Sequence, residues 1–409
     1  MQIEPSQSGR KPYLDGLRGI AACMVFFDHL TLALAPAAIS FERSQTHDLA
    51  EMRIGTLPIA WLWNGSFAVC IFFILSGYVL SEFCARTRIG LTAQMVRRYV
   101  RLALPMLLTS TLAFALMALG LYKNLDASTL LTKSDWLAMW YRAFEPDLFG
   151  MAKESLVDAF VSGRSSYNPN LWTMQIELIG SSAVFFTFLF KSSLKRLLLA
   201  IVLLIVGARS YYSLFAIGMI YFQTEGPLMA LFESGRRNKR MIQWIASALL
   251  LAGLYFGAYP NAPPDLQPAW YSFLPRTIPV TGWHMIGASL AVYAVLFSAA
   301  AQRLLGGPFG RYLGRLSFVL YLVHFPVICS VTSWCVLVLS GLSYGLDALL
   351  SSILSITATF AISTLLYRYV DVFSTRFSQQ IGFWVDDRVA GIRLNRGFEK
   401  LPAGAKRPV

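Results

Sequence analysis

The sequence predicts an all-α fold, a polytopic transmembrane helical bundle, from its composition, its succession of apolar segments and the placement of its basic residues. Of its 409 residues, 56% are hydrophobic and only 14% are charged, and the mean hydropathy is +0.54. A soluble protein would carry about a quarter charged residues. Short links join the apolar segments, so we expect one bundle over residues 13–370. Residues 371–409 form a basic cytoplasmic tail that we expect to be partly disordered.

Ten apolar segments are candidates for membrane spans, because crossing a hydrocarbon core of ~30 Å takes about 20 helical residues. Most of them reach that length, whereas Gly207 and Arg209 cut the fifth short and the sixth carries Glu225. In chain order, the predicted spans are Leu17–Ala38, Ile59–Phe83, Leu102–Leu121, Leu171–Phe190, Leu197–Val206, Tyr211–Phe232, Met241–Tyr259, Met285–Ala301, Leu316–Leu339 and Leu346–Tyr367.

The basic residues predict the orientation of the bundle. With a cytoplasmic N-terminus, every second link lies inside the cell, and these links and the tail are rich in arginine and lysine. The outer link Pro260–Trp283 holds only Arg276. Fusing the fifth and sixth segments would place the later basic links outside, which the positive-inside rule opposes. We therefore predict about ten spans with both termini cytoplasmic.

Composition also disfavours several functional classes. The net charge of +13 reflects basic residues that cluster in the short links, so nucleic-acid binding is not expected. The five cysteines lie in or beside apolar segments without metal-ligand spacing, and we interpret them as small core residues. Neither a metal site nor a permanently bound cofactor is predicted. No small-residue cleavage site follows the first apolar segment, so we interpret it as a span rather than a signal peptide.

The first span carries the most informative polar residues, Arg18 and His29. Eleven helical residues rise about 16 Å and turn to within about 20° of three full turns, so both side chains share a face. The arginine would stay near the interface, whereas the histidine would lie near mid-membrane, where ionisable groups are usually functional. An arginine that only sets topology and a structural histidine are the alternatives. The shared face favours catalysis on an anionic substrate, and Asp15 is expected to pair with Arg18.

The fourth span places a carboxylate, that of Glu177, about 10 Å into the membrane from Asn170. A carboxylate at this depth needs a partner, and we favour His29, because such a pair would tune a general base. A buried ion pair with an arginine is the alternative. Trp172 fits the interfacial aromatic belt, and Ser76 in the second span suits close helix packing. Both are also candidate substrate-binding residues.

Three arginines at the start of the third span are further candidates for substrate binding. Arg97 and Arg101 are four residues apart, and Arg98 and Arg101 are three apart, so their side chains share a face. Clustered guanidinium groups suit phosphate recognition. The alternative is that these arginines only set the topology.

The ninth span carries Ser317, Tyr321 and His324 at spacings of four and three, which places them on one face. Pro326 follows and is expected to kink the helix. His324 is either a second catalytic or binding group or a structural histidine, and Tyr321 is a candidate substrate-binding residue. The long outer link Tyr122–Asn170 either helps to shape an acceptor site or forms a solvated cap.

Taken in order, these segments resemble the acyltransferase-3 family of integral-membrane sugar O-acyltransferases, from Tyr13 to about Asp371. The most specific element is an arginine followed by ten residues and a histidine, met by Arg18 and His29 in YLDGLRGIAACMVFFDH. The segments FFILSGYVLS, RRYVRLALP, LWTMQIE and RLSFVLYLVHFPV resemble later family motifs. Asp371 in YRYVD stands where relatives often carry glutamate.

The resemblance implies transfer of an acyl group, most often acetyl from acetyl-CoA, to a hydroxyl of an exported, cell-surface or lipid-linked glycan. It implies a bacterial inner-membrane location and essential roles for Arg18 and His29. The expected partners are acyl-CoA, the saccharide acceptor and membrane lipid. The rival function is a transporter or flippase of an acylated or lipid-linked glycan, in which buried histidine and glutamate would relay protons. The sequence shows no internal repeat of the kind found in transporters.

These expectations combine into a hypothesis for the reaction. Arg18, Arg98 and Arg101 would hold the CoA phosphates at the inner mouth, and the acyl-pantetheine arm would extend toward His29. His29, with its basicity adjusted by Glu177, would deprotonate the acceptor hydroxyl for attack on the thioester. A covalent acyl-histidine intermediate is the second possibility.

Overall fold

The computed structural model describes residues 11–232 and 236–399. This part of the chain is helical and contains no strand, which confirms the predicted all-α fold. The α-helices, numbered in chain order, are α1 (Pro12–Leu34), α2 (Ala37–Ser40), α3 (Leu49–Gly55), α4 (Gly65–Arg86), α5 (Leu91–Ala118), α6 (Asn124–Ala127), α7 (Asp135–Ala138), α8 (Leu148–Lys153), α9 (Ala159–Val161), α10 (Thr173–Thr187), α11 (Ser193–Val206), α12 (Tyr212–Phe232), α13 (Arg236–Gly257), α14 (Val280–Phe297), α15 (Ala299–Leu305), α16 (Pro308–Val327), α17 (Ser333–Val338), α18 (Tyr344–Tyr367) and α19 (Phe373–Glu399).

Within the described residues, eight helical segments are long and apolar enough to cross a membrane. They comprise α1, α4, α5, α12, α13, α14, α16 continued by α17, and α18 continued by α19. The fourth and fifth predicted spans form α10 and α11, of 15 and 14 residues, which are shorter than the ~30 Å core requires. The count of ten and the cytoplasmic termini stay predictions. The fifth and sixth segments form two distinct helices, α11 and α12, and their separate crossing of the membrane stays a prediction.

Helix α16 lies at the centre of the bundle. Most of its residues are buried, and it packs against α1, α5 and α18. Helix α1 also packs against α4, which in turn contacts α12 and α14. By contrast, α11, α13 and α18 expose many leucine and isoleucine side chains. Outward-facing apolar side chains on this scale are what a membrane-embedded surface requires and a soluble protein avoids.

Glycines determine how α1 packs against α16. A Cβ atom at Gly19 would lie 2.6 Å from the backbone nitrogen of Gly314, and one at Gly314 would lie 2.6 Å from the backbone of Asp15. The backbones therefore touch near the N-terminal ends of both helices. Two contacts show that α1 and α16 run parallel, since Gly19 lies against Gly314 and His29 lies against His324. In both contacts the two residues are 295 positions apart in the sequence.

The first part of the predicted tail is helix α19, which packs along α5. The Gly90 N–H donates to Asp386 at 2.9 Å, and Arg101 forms an ion pair with Asp371 at 2.6 Å. These two contacts show that α19 and α5 are antiparallel. The end of the predicted tail, residues 400–409, lies outside the described residues.

Candidate functional site

The structure brings together two histidines, the partly buried His29 of α1 and the fully buried His324 of α16, which we call the histidine pair. His29 Nδ1 lies 2.9 Å from His324 Nε2. The ring centroids are 5.1 Å apart and the ring planes are inclined by 24°, so the rings meet edge to edge through this hydrogen bond. His324 is therefore the hydrogen-bonding partner of His29.

The direction of this hydrogen bond follows from a second one. His324 Nδ1 lies 3.1 Å from the carbonyl oxygen of Leu320, which can only accept, so Nδ1 carries the proton. In neutral His324 the other nitrogen, Nε2, is then an acceptor, and His29 Nδ1 must donate to it. This assignment leaves the lone pair of His29 Nε2 free, which is the arrangement that a general base requires.

Asp28 lies close to this free nitrogen. Its Oδ2 is 3.9 Å from His29 Nε2, beyond hydrogen-bonding distance, and its Oδ1 accepts the Gly65 N–H at 3.1 Å. A side chain at position 65 would collide with the carboxylate, because a Cβ atom there would lie 2.8 Å from Oδ2. The side chains of Asp28 and His29 remain 17% and 21% exposed, so a substrate can reach both.

Aromatic side chains form one wall of the site. Trp136 stacks on His29 with 5.0 Å between ring centroids, and Phe325 meets the His29 ring at 6.0 Å. Trp136 lies on α7, within the long link that was predicted to shape an acceptor site or to form a solvated cap. Ser134 caps α7 and also donates to the Leu32 carbonyl at 2.6 Å, so this part of the link is attached to α1 beside His29.

A proline shapes the segment of α16 that carries His324. Pro326 has no N–H, so the carbonyl of Leu322, four residues earlier, loses its helical donor. The side-chain amide of Asn168 replaces that donor at 2.7 Å. Sequence reasoning missed this role of Asn168. The available signal was the proline, which indicates an unpaired carbonyl but not the residue that will satisfy it.

The predicted binding residues Tyr321 and Trp172 make other contacts within the protein. The Tyr321 hydroxyl donates to the Asn170 carbonyl at 2.7 Å and contacts Thr173 Oγ1 at 2.8 Å, which joins α16 to the start of α10. Trp172 packs against the ring of Tyr211 and stays 40% exposed, as residues of an interfacial belt do. Its ring contact is therefore with Tyr211 and not with the histidine pair.

Glu177 has a different partner from the one predicted. Its carboxylate forms an ion pair with Arg98 and accepts a hydrogen bond from Ser76 at 2.6 Å. Arg98 Nε also donates to Ser181 at 2.9 Å. The expectation that Glu177 pairs with His29 is therefore wrong, and the alternative of an ion pair with an arginine is correct. The hydroxyl of Ser76 therefore serves as a hydrogen-bond donor to this carboxylate.

The other two arginines of this cluster differ from each other. Arg101 forms an ion pair with Asp371 at 2.6 Å and donates to Ser374 at 3.1 Å. Arg97 lies over the ring of Phe83, 4.8 Å from its centroid, and no carboxylate of the described residues lies within ion-pair distance of it. Two of the three arginines predicted to bind phosphate thus already have a carboxylate partner.

Arg18 lies on α1, three helical turns from His29 toward the predicted cytoplasmic side. Its Nη1 is 3.5 Å from Asp15, which confirms the predicted pair. The Arg18 side chain is 30% exposed. Because a guanidinium carries five N–H donors, this contact leaves most of them for a ligand.

Comparisons with known proteins identify the family. The family model Acyl_transf_3, described as an acyltransferase domain, matches residues 11–368. The chain is 28% identical over 400 residues to Acyltransferase R4 of Phoma sp. (strain ATCC 20986 / MF5453) and 26% identical over 395 residues to Acyltransferase clz18 of Cochliobolus lunatus. Each alignment covers 80% of this chain and 84% of the relative. No solved structure matches the chain. The chain therefore belongs to the acyltransferase-3 family, as its motifs predicted, and is an integral-membrane acyltransferase.

Proposed function

We propose that this acyltransferase moves an acyl group, most simply acetyl, from acyl-CoA to a hydroxyl of a glycan. One observation carries the proposal: His29 Nε2 has a free lone pair, is reachable, and belongs to a ring that His324 holds in place. A hydroxyl that donates to this nitrogen would lie where a general base acts.

In the proposed reaction, His29 Nε2 takes the proton of the hydroxyl while the hydroxyl oxygen attacks the thioester carbonyl carbon. A C–O bond forms, the tetrahedral intermediate collapses and the C–S bond breaks. The protonated His29 then returns its proton to the thiolate of CoA. The hydrogen bond from His29 Nδ1 to His324 is kept throughout and fixes the ring orientation. An acyl-histidine intermediate at the same nitrogen is the second route compatible with this geometry.

Acyl-CoA would enter from the predicted cytoplasmic side, where α1 carries Arg18. About 16 Å of helix separates Arg18 from His29, a distance that we expect an extended acyl-pantetheine arm to cover. Arg98 and Arg101 already bind carboxylates, so they would contribute to phosphate binding only through their remaining N–H donors. Arg18 has only the longer contact of 3.5 Å to Asp15, and Arg97 has no carboxylate within ion-pair distance among the described residues, so we assign the largest share of phosphate binding to these two arginines.

The aromatic wall beside His29 supports a glycan as acceptor. A sugar ring has apolar faces that can pack on aromatic side chains such as Trp136, and hydroxyls that can bind polar groups such as Asp28. The family resemblance further implies that the glycan is exported or lipid-linked and that the membrane is a bacterial inner membrane. Both remain part of the proposal.

Ester formation by the purified protein tests the proposal. Detergent-solubilised protein would be incubated with isotope-labelled acetyl-CoA and a panel of oligosaccharides, and the products identified by mass spectrometry. We expect His29→Ala to lower kcat by about 10²- to 10⁴-fold, the usual contribution of a general base. His47→Gln is the matched control, because the ring of His47 contacts Glu51 at 2.9 Å and the Leu131 carbonyl at 3.0 Å instead of the histidine pair. Full activity of His29→Ala, or glycan transport without ester formation, would contradict the proposal.

A further inference from the structure

The two carboxylate oxygens of Asp28 have different surroundings. Oδ1 accepts the backbone N–H of Gly65, the first residue of α4, at 3.1 Å. Among the residues that the structure describes, no donor lies within hydrogen-bonding distance of Oδ2. His29 Nε2 lies beside Oδ2, at 3.9 Å. One oxygen of this carboxylate is therefore held by the fold, and the other has room for a ligand.

The neighbour of Oδ2 is itself a hydrogen-bond acceptor. The tautomer derived above leaves a lone pair on His29 Nε2, so two acceptors lie side by side without a donor between them. Two adjacent acceptors in a partly buried place call for a ligand with two adjacent donors, because an unpaired buried acceptor is costly. A single hydroxyl can donate to only one of them at a time.

The surroundings keep this place open to a ligand. Gly65 has no side chain, and any Cβ atom there would push against Oδ2. Both Asp28 and His29 retain exposed surface, and no Asp28 oxygen is among the fully buried atoms without a partner. The unoccupied oxygen is thus accessible rather than sealed in the core.

We propose that Asp28 Oδ2 binds a second hydroxyl of the acceptor, adjacent to the hydroxyl that His29 deprotonates. The preferred acceptors are then vicinal diols, in which one hydroxyl donates to Asp28 and its neighbour donates to His29 and is acylated. This inference rests on the proposed function, since it names the class of acceptor for the same reaction. Asp28 acts here as a residue that binds the acyl acceptor and determines specificity. In its ionised form, its carboxylate makes the stronger, charge-assisted kind of hydrogen bond.

The experiment compares two simple alcohols that differ by one hydroxyl. Purified full-length protein would acetylate cis-cyclohexane-1,2-diol and cyclohexanol from acetyl-CoA, with kcat/KM expressed per hydroxyl. A hydrogen bond to a charged group corresponds to a preference of about 10- to 100-fold for the diol. In Asp28→Ala, we expect this ratio to fall to about 1, mainly because kcat/KM for the diol decreases.

The ratio is a robust measurement because both alcohols are tested in one preparation, so the folded fraction of Asp28→Ala cancels. Asp347→Ala is the matched control. Asp347 is a carboxylate on a long helix too, but it is buried and its hydrogen bond goes to Ser351 of its own helix, at 2.9 Å. We expect that variant to keep the preference for the diol.

Three results would overturn the inference. An equal decrease for both alcohols in Asp28→Ala would show that the carboxylate acts on His29 and not on the acceptor. A wild-type protein without preference for the diol would show that no second hydroxyl is bound. Both of these results leave the proposed function intact. Failure of the wild-type protein to acetylate either alcohol would instead count against hydroxyl acylation itself, and the inference would fail with it.

Discussion

Replacing Arg98 with methionine should destabilise the protein, and a second substitution at Glu177 should reverse most of that loss. The side chains of Arg98 and Glu177 are only 18% and 11% exposed. Without its cation, the carboxylate would keep the Ser76 hydrogen bond of 2.6 Å in a poorly solvated place. Removing one partner of a buried ion pair destabilises by about 3–5 kcal/mol. Allowing for the remaining exposure, we expect roughly 2–4 kcal/mol.

The assay is thermal unfolding of the detergent-purified variants. Extending the size dependence of smaller domains to this chain gives about 1–2 °C per kcal/mol, so Arg98→Met should lower Tm by about 2–8 °C. Adding Glu177→Gln should restore more than half of the loss, because the amide still accepts from Ser76 and carries no charge. Arg97→Met is the matched control, since Arg97 lies over the Phe83 ring, and Glu177→Gln should not rescue it.

Additive effects of the two substitutions on stability would refute this reasoning. If the effects of Arg98→Met and Glu177→Gln simply add, within about 0.5 kcal/mol, the two side chains do not stabilise each other. Arg98 would then return to the group of arginines that are free to bind CoA phosphates. The affinity of the double variant for CoA provides an independent check. If the Arg98–Glu177 pair is mainly structural, replacing both residues should cause little loss of CoA affinity.

Two further predictions concern the helix contact between α1 and α16. His324→Ala should lower kcat by about 10²- to 10⁴-fold with little change in KM, because His29 loses the hydrogen-bond acceptor that fixes its tautomer. His324→Gln should recover part of the rate. Steady-state kinetics that show an unchanged kcat for His324→Ala would contradict this role. Gly314→Ala should destabilise by about 1–3 kcal/mol, because its Cβ would lie 2.6 Å from the backbone of Asp15. Gly341→Ala is the matched control in the same thermal assay, since a Cβ atom there meets nothing within 4 Å, and an equal Tm for the two alanine variants would rule out the tight contact.

Features that depend on a single helix could be predicted from the sequence. A rotation of 100° per residue places Arg18 and His29 on one face of α1 and Asp15 beside Arg18, whatever the helix packs against. Hydropathy located most of the long helices, because a continuous apolar segment is likewise a property of a single stretch of sequence. It predicted that α11 is short, since Gly207 and Arg209 follow its apolar residues. It did not predict that α10 is short, because a helix ends where the chain turns, and apolar residues continue beyond Thr187.

Contacts between helices could not be predicted in the same way. The carboxylate of Glu177 needed a partner, and either a histidine or an arginine could serve. Which of the two pairs with it depends on which helix lies beside α10. The pairing of His29 with His324 depends on the contact of Gly19 with Gly314, which sets the register of α1 against α16. Both glycines are visible in the sequence, but a glycine does not indicate which backbone will approach it.

The choice of a histidine as the partner of His29 is consistent with where the charges of this protein lie. A carboxylate in that position would place a charge in the interior of a membrane protein, which is unfavourable, whereas His324 accepts the same hydrogen bond while neutral. The Asp28 carboxylate lies instead at the N-terminus of α4, where it accepts the backbone N–H of Gly65 and faces the positive end of the helix dipole. The ion pairs of α5 lie toward the opposite, predicted cytoplasmic end. The ion pairs of Arg98 and Arg101 therefore lie where the donor phosphates would arrive, and a neutral base faces the hydroxyl that has to lose its proton.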